Sequence, residues 1–136
     1  MSNSDLGITF IYPNNCGNSP KTVKLKELYQ SLITGNLDLL LESVDDEVLW
    51  TLIGDSQIKG KQNLIDKIES YSLEQIDSLV IKSIITHGKL GSVSGKFALK
   101  EDTRDIHFST TFLFSSAGSK SKIIEIDTYI IRGSVR

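Results

Sequence analysis

The side chains of this 136-residue sequence whose types and spacing could do chemistry cluster on a few strand-like runs. Ile106, Phe108, Thr110, Phe112 and Phe114 alternate with His107, Ser109, Thr111 and Leu113, and the first set, being the more apolar, should form the buried face of a strand. If residues 101–104 make the turn before it, Phe97 pairs with Phe108, Leu99 with Ile106, Val93 with Phe112 and Gly95 with Thr110. The last pair leaves a gap in an otherwise aromatic face. Either a helix residue such as Leu28 or Leu32 fills that gap, or Phe97, Phe108 and Phe112 wall a pocket with Thr110 as its polar handle. Mostly apolar cavities with a few polar groups are where small molecules bind. Trp50 could close such a pocket or could be ordinary core.

The last strand offers two chemistries. Ile124, Ile126, Thr128 and Ile130 share one parity, and Ile123, Glu125, Asp127, Tyr129 and Ile131 the other. With the odd set inward, Asp127 sits near Thr110 against apolar walls, where burial would raise its pKa towards neutrality and suit it as a general base. With the even set inward, isoleucines and Thr128 line the cavity, and Glu125 and Asp127 meet water or a partner. Three isoleucines and no charge favour the even set. A one-residue change in the turn before this strand exchanges the two.

Other chemistry finds little support. Gly88, Gly91 and Gly95 are scattered through a hairpin and open no helix, so they are not a phosphate loop. His87 and His107 have no carboxylate or thiol at metal-ligand spacing, and both read as surface residues. Cys16 is the single cysteine and has no adjacent base. No metal or cofactor is expected. Lys120 and Lys122 read as a solvated hairpin tip.

The elements that would position these groups follow from periodicity. Residues 1–18 read as a polar arm containing one possible edge strand, Ile8 to Tyr12, and residues 19–136 as one domain. Ser19 suits an N-cap and Pro20 the first helical position. Leu25, Leu28, Tyr29 and Leu32 then fall on one stripe, and Gly35 offers a left-handed C-terminal residue. Asn36 can cap a shorter helix with Leu37, Leu40, Leu41 and Val44 on the same spacing. Val48 to Ile53 reads as a strand ending at Gly54-Asp55, and Gly60 precedes a third helix whose apolar face is Leu64, Ile65, Ile68 and Tyr71. Strands are expected near 76–87, 89–100, 105–115 and 121–132, with turns at Gly88, 101–104 and 115–119. Helices gathered ahead of an antiparallel meander imply an α+β fold, short helices packed on a curved sheet.

The bulk properties fit one domain. Apolar residues make up 39%, charged residues 24%, and the formal net charge is −2 with both signs interspersed. No basic stripe is present to neutralise phosphates, so nucleic acid is not an expected partner. No apolar run approaches the roughly 20 residues that cross a bilayer, and the opening residues lack the basic and apolar regions of a signal peptide. A cytoplasmic protein without a membrane partner is expected.

The order of these motifs resembles nuclear transport factor 2-like proteins, particularly the SnoaL-like branch. The run from Tyr29 to Trp50 has a Gly35-Asn36 step between two helices, an acidic pair at Asp45-Asp46, and a strand bearing tryptophan. Gly54 followed by Ile58, Gly60 and Lys61 is similar to that family's approach to its third helix. The run Lys122 to Ile126 is similar to the start of its final strand. The stretch from Asn15 to Pro20 is similar to the lead-in of small bacterial members with no assigned activity. The resemblance covers roughly residues 20–132. It implies a cone-shaped, cystatin-like α+β fold, a bent antiparallel sheet wrapped around about three helices, with an apolar pocket at the wide end and homodimers joined through the sheet.

That fold hosts isomerases, cyclases, dehydratases, epoxide hydrolases and non-catalytic binding modules, so activity does not follow from it. SnoaL-like cyclases use an aspartate near the end of the last strand, where the best-matched position here is Thr128. Asp127 is one residue off. Three functions are therefore open. One is a domain that binds an apolar small molecule through Trp50, Phe97, Phe108, Thr110, Phe112 and Thr128. Another is a cyclase- or isomerase-type enzyme with Asp127 as base. The third is a dimeric interaction module using Thr111, Leu113, Glu125 and Tyr129.

Overall fold

A computed structural model describes residues 2–3, 9–13, 17–71, 75–102 and 104–133 of the chain. Helix α1 (Pro20–Ile33) begins as its residues dictate: the Ser19 hydroxyl accepts from the Thr22 N–H, and Pro20 occupies the first turn. Leu25 and Leu28 are fully buried on its inner stripe. The helix ends where Gly35 takes a φ of 80°, and the Asn36 N–H returns to the Ser31 carbonyl at 3.0 Å. The Asn36 side chain then accepts from the Asp38 N–H at 2.9 Å, starting α2 (Asp38–Ser43). Val44, expected on that helix, instead opens a strand.

Eight strands form one sheet. They are β1 (Ser2–Asn3), β2 (Thr9–Ile11), β3 (Val44–Leu52), β4 (Ser56–Lys59), β5 (Ile76–His87), β6 (Leu90–Leu99), β7 (Asp105–Phe114) and β8 (Ile123–Arg132). Helix α3 (Lys61–Glu69) leaves β4 through Gly60, whose φ is 96°. The strand order is β1-β2-β5-β6-β7-β8-β3-β4. The meander β5 to β8 is antiparallel as expected, but the sheet as a whole is mixed, because β2 joins β5 and β3 joins β8 in parallel. Both parallel partners come from the N-terminal half and meet the meander only after a long connection. The expected edge strand survives as β2, with Phe10 fully buried. Strand β4, four mostly polar residues without alternation, was not expected. Cys16 lies outside the described residues.

Two registers differ from expectation. In β6–β7, Gly95 faces Phe108, Val93 faces Thr110 and Phe97 faces Ile106. The last pair is Ala98 with Asp105, so the connecting loop is longer than four residues and the strands slide by two. A two-residue slide preserves the faces, which is why Phe108, Thr110, Phe112 and Phe114 are all inward and buried. Gly95 is no gap. A Cβ there would lie 2.1 Å from the Val80 carbonyl oxygen, because β5 carries a bulge between Ile81 and Ser83 that brings its backbone across Gly95.

The second difference is a bulge in β7–β8. Phe114 pairs with Ile123 but Leu113 with Glu125, so Ile124 is the extra residue. Ile123 faces in and is fully buried, in the place expected of Ile124, while Ile126, Thr128 and Ile130 follow on the inner parity. The turn before β8 is anchored on the helices. The Lys21 ammonium donates to the carbonyls of Ala117 at 2.6 Å and Gly118 at 2.8 Å, and Lys122 donates to the Glu42 carbonyl instead of standing free in solvent.

Candidate functional site

The concave side of the sheet does not close fully onto the helices. A cavity of about 230 Å³ remains between α1, α3 and the strands. Trp50, Phe97, Phe108, Thr110, Phe112 and Thr128, the six residues the sequence points to, all line it. Leu28 and Leu32 contribute to its helical wall without filling it. Among its lining residues there is no carboxylate, imidazole, lysine or arginine. A wider hollow of about 630 Å³ shares Trp50, Tyr71, Ile76, Phe97, Thr128 and Ile130 with it and is also lined by Asp55, Gln75 and Arg132. The cavity thus adjoins this wider hollow.

Two tyrosines, Tyr29 and Tyr71, line the cavity, and Tyr29 is the one set among the phenylalanines. Tyr29 projects from α1, stacks on Phe108 with ring centroids 5.7 Å apart and meets Phe112 edge-on at 6.4 Å. Offset stacking and edge contacts suit the quadrupoles of these rings and fix the phenol in place. Burial pushes its hydroxyl up to about 12, and a hydrogen bond with Thr110 only partly opposes the rise. Tyr29 is therefore a neutral hydrogen-bonding group at physiological pH. Reading the sequence as a helix stripe made Tyr29 a core residue beside leucines. The missed signal is that a buried tyrosine needs a partner for its hydroxyl.

Polar atoms form one thread along this wall. Trp50 Nε1 donates to Thr128 Oγ1 at 2.9 Å, and the Thr128 and Thr110 hydroxyls, directly opposite across β7–β8, lie 3.4 Å apart. Among the described residues no fully buried side-chain nitrogen or oxygen lacks a partner. Trp50 is thereby more than apolar packing, since its indole orients Thr128.

Asp127 is not in the cavity. It pairs with Thr111 on one side and Thr51 on the other, both on the opposite parity from Thr110 and Thr128, so its carboxylate belongs to the outer face of the sheet. The candidate base is corrected accordingly: the bulge at Ile124 gives Thr128 the inward position. Glu125 shares the outer parity and is exposed, and His87 and His107 are exposed as well. Thr111, Leu113 and Tyr129 lie on that outer face, where Ile85, Leu90 and Ile131 are also exposed. No helix of the described residues is long and apolar enough to cross a membrane. No group of three or more metal-ligating side chains occurs among them.

Solved structures share this architecture at low identity. A protein of unknown function from Burkholderia xenovorans LB400 superposes with a TM-score of 0.70 at 15% identity, covering 82% of each chain. A LEH-like epoxide hydrolase from M. tuberculosis gives 0.66 at 11%, covering 82% of this chain and 83% of its own. A candidate SnoaL-like polyketide cyclase from Jannaschia sp. CCS1 gives 0.66 at 13%, covering 84% and 90%. At such identities the likeness concerns the fold. Comparison with curated proteins gives no match. A family model for the nuclear transport factor 2 domain matches residues 24–130, from within α1 to within β8, which takes in every element around the cavity. The cone, its apolar hollow and that match agree: the chain belongs to the nuclear transport factor 2 domain family.

Proposed function

We propose that this domain binds a small apolar molecule in the cavity between α1, α3 and the sheet, and does so without catalysing a reaction. The observation that carries this reading is the composition of the wall: apolar and aromatic side chains, a few neutral polar atoms, and no group among the lining residues that titrates near neutral pH. General acid–base chemistry needs such a group within reach of the substrate. Asp127, the residue that would make a cyclase or isomerase, stands on the other face of the sheet.

Trp50 is the single tryptophan and lines the cavity, so its emission reports on occupancy directly. Titration with the neutral dye N-phenyl-1-naphthylamine should quench that emission saturably and raise the dye's own fluorescence. Ile126→Phe, which fills space beside Trp50 and Phe112, should weaken the dye by about tenfold or more. Failure of the wild type to bind, or equal binding by the filled variant, refutes the proposal.

The outer face favours a second, compatible role. Tyr129 is 45% exposed and Ile131 70% exposed on β8, and Ile85 and Leu90 lie exposed on β5 and β6. Apolar side chains concentrated on one face mark interaction surfaces. The proposed partner is a second copy of the chain, pairing through the sheet. Sedimentation of the wild type as a dimer, and of Ile131→Glu as a monomer, is the expected result; a monomeric wild type at high concentration rules it out.

A further inference from the structure

The concave face of β8 changes character along its length. Ile126 lines only the inner cavity, Thr128 and Ile130 line both the cavity and the wider hollow, and Arg132 lines only the hollow. All four share the inward parity, and Arg132 stands directly opposite the buried Ile106 on β7. At the rise of a strand, the run from Ile126 to Arg132 spans about 20 Å. The row is therefore graded from an apolar inner end to an exposed guanidinium. Ile53, Tyr71 and Ile130 are exposed around the hollow, so apolar surface continues outward beyond the inner cavity.

Arg132 has its charge to spare, because its neighbours are matched among themselves. Arg104 grips Asp102 through contacts of 3.1 and 3.0 Å, and the Lys96 ammonium lies 3.3 Å from Asp105. Among the described residues the Arg132 side chain makes no ion pair or hydrogen bond, and only a longer-range attraction links it to Asp102. Asp55 is the other charged residue on the hollow, but it follows the Gly54 turn past the end of β3 and does not pair with Arg132. A guanidinium presents a planar fork of donors that matches a carboxylate. Resting on the binding function proposed above, we infer that the molecule held here is an amphiphile, with an apolar body in the cavity and a single carboxylate head at Arg132. The head stays in the solvent-exposed hollow, so no ion is buried without a partner. A doubly charged head fits less well, since Asp55 lines the same hollow and repels it. A cationic head has only Asp55 to meet, off the row of inward β8 side chains along which the body would lie.

Three probes with the same straight apolar chain separate the possibilities: decanoate, decanol and decylammonium carry an anionic, a neutral and a cationic head. Each is titrated at neutral pH and low salt into the isotope-labelled full chain, with the single Trp50 Nε1–H resonance as the reporter by NMR. The wild type should bind decanoate more tightly than decylammonium. An exposed guanidinium–carboxylate contact strengthens binding by about two- to fivefold, so Arg132→Gln should weaken decanoate by that factor. Arg132→Glu should reverse the order of the two charged probes. Decanol should bind all three proteins equally, which shows that the cavity is intact in the variants. The inference is overturned if the wild type does not prefer decanoate to decylammonium, if Arg132→Gln leaves decanoate binding unchanged, or if it weakens decanol as much as decanoate. In those cases decanol binding to the wild type leaves the binding function standing. If none of the three probes moves the Trp50 signal, the binding function itself falls and the inference with it.

Discussion

Gly95 gives the sharpest test of how the sheet is built, because two readings of it predict opposite signs. Were it a gap beside a short side chain, a methyl group would fit, and alanine would stabilise the strand by about 0.5–1 kcal/mol through the lower entropy of the unfolded chain. Gly95 has no positive φ, so nothing in its own backbone opposes the change. The structure puts the added Cβ 2.1 Å from the Val80 carbonyl oxygen and 3.1 Å from Ile81 Cα. Both obstacles are backbone atoms of a hydrogen-bonded neighbour, so the strand itself would have to move by more than about an ångström to restore van der Waals contact. Overpacking a core with flexible side chains already costs about 1–3 kcal/mol; with backbone as the obstacle the cost should be at least about 3 kcal/mol. For a domain of this size that is a loss of roughly 10 °C in Tm.

Gly91 on the same strand is the control. An added Cβ there meets the end of the Leu25 side chain at 2.9 Å and side-chain atoms of Phe114 and Thr86 beyond it. Those ends can rotate away, and Gly91→Ala should cost no more than about 1–2 kcal/mol. Urea denaturation of both variants, compared at equal m-values, measures the difference. If Gly95→Ala matches the wild type, or is milder than Gly91→Ala, the close approach of β5 at its bulge is wrong and so is the register built on it.

The remaining predictions concern charge and protonation. The Tyr29 hydroxyl is pushed up to about 12 in the folded chain but ionises near the ordinary tyrosine value of 10.0 when unfolded. Its contribution to stability is thus complete below pH 10 and is lost as pH rises towards 12, so between pH 8 and 11 the wild type should lose about 1 kcal/mol more than Tyr29→Phe in urea denaturation. Equal losses would mean the phenol is not buried as described. Asp102, held down to about 2 first by its hydrogen bonds with the Arg104 side chain and backbone, should titrate by NMR well below 3.8, and Arg104→Ala should move the midpoint back up. The pair favours the folded form above the ordinary carboxylate range and stops doing so as pH falls towards 2. Asp127→Asn should leave dye binding in the cavity unchanged within about twofold; a large loss would return the carboxylate to the cavity.

The parts of the fold that local rules govern were legible in the sequence. Ser19-Pro20 and Gly35-Asn36 mark the ends of α1 by capping chemistry that involves only neighbouring residues. The meander strands follow from alternation over about ten residues each, and a two-residue slide in β6–β7 left every inward residue inward. What alternation alone could not show was how the N-terminal strands join the sheet. Strands β2 and β3 pair in parallel with β5 and β8 across long connections, and no local signal encodes that choice. Tyr29 was legible as a buried helix position but not as a polar one, because its partner Thr110 lies on β7 and meets it only in the folded chain.

The chemistry of the cavity turns on one residue that alternation could not place. Parity propagates along a strand only while pairing is regular, and a bulge resets it. If β8 kept the register of Phe114 with Ile123 throughout, Thr110 would face Asp127 and Phe112 would face Glu125, and two carboxylates would enter an apolar cavity with no cation to meet them. Inserting Ile124 as the unpaired residue turns those pairs into Thr110–Thr128 and Phe112–Ile126. Burying two ions without partners is far costlier than leaving one backbone unit out of the ladder. Trp50 adds to the same preference, since its indole N–H reaches an acceptor on Thr128 only in the bulged register, while Ile126 packs between it and Phe112. The bulge therefore selects the site: on one side of it the sheet would present acids to a substrate, and on the other it presents a neutral wall with hydroxyls, which is what the chain folds to.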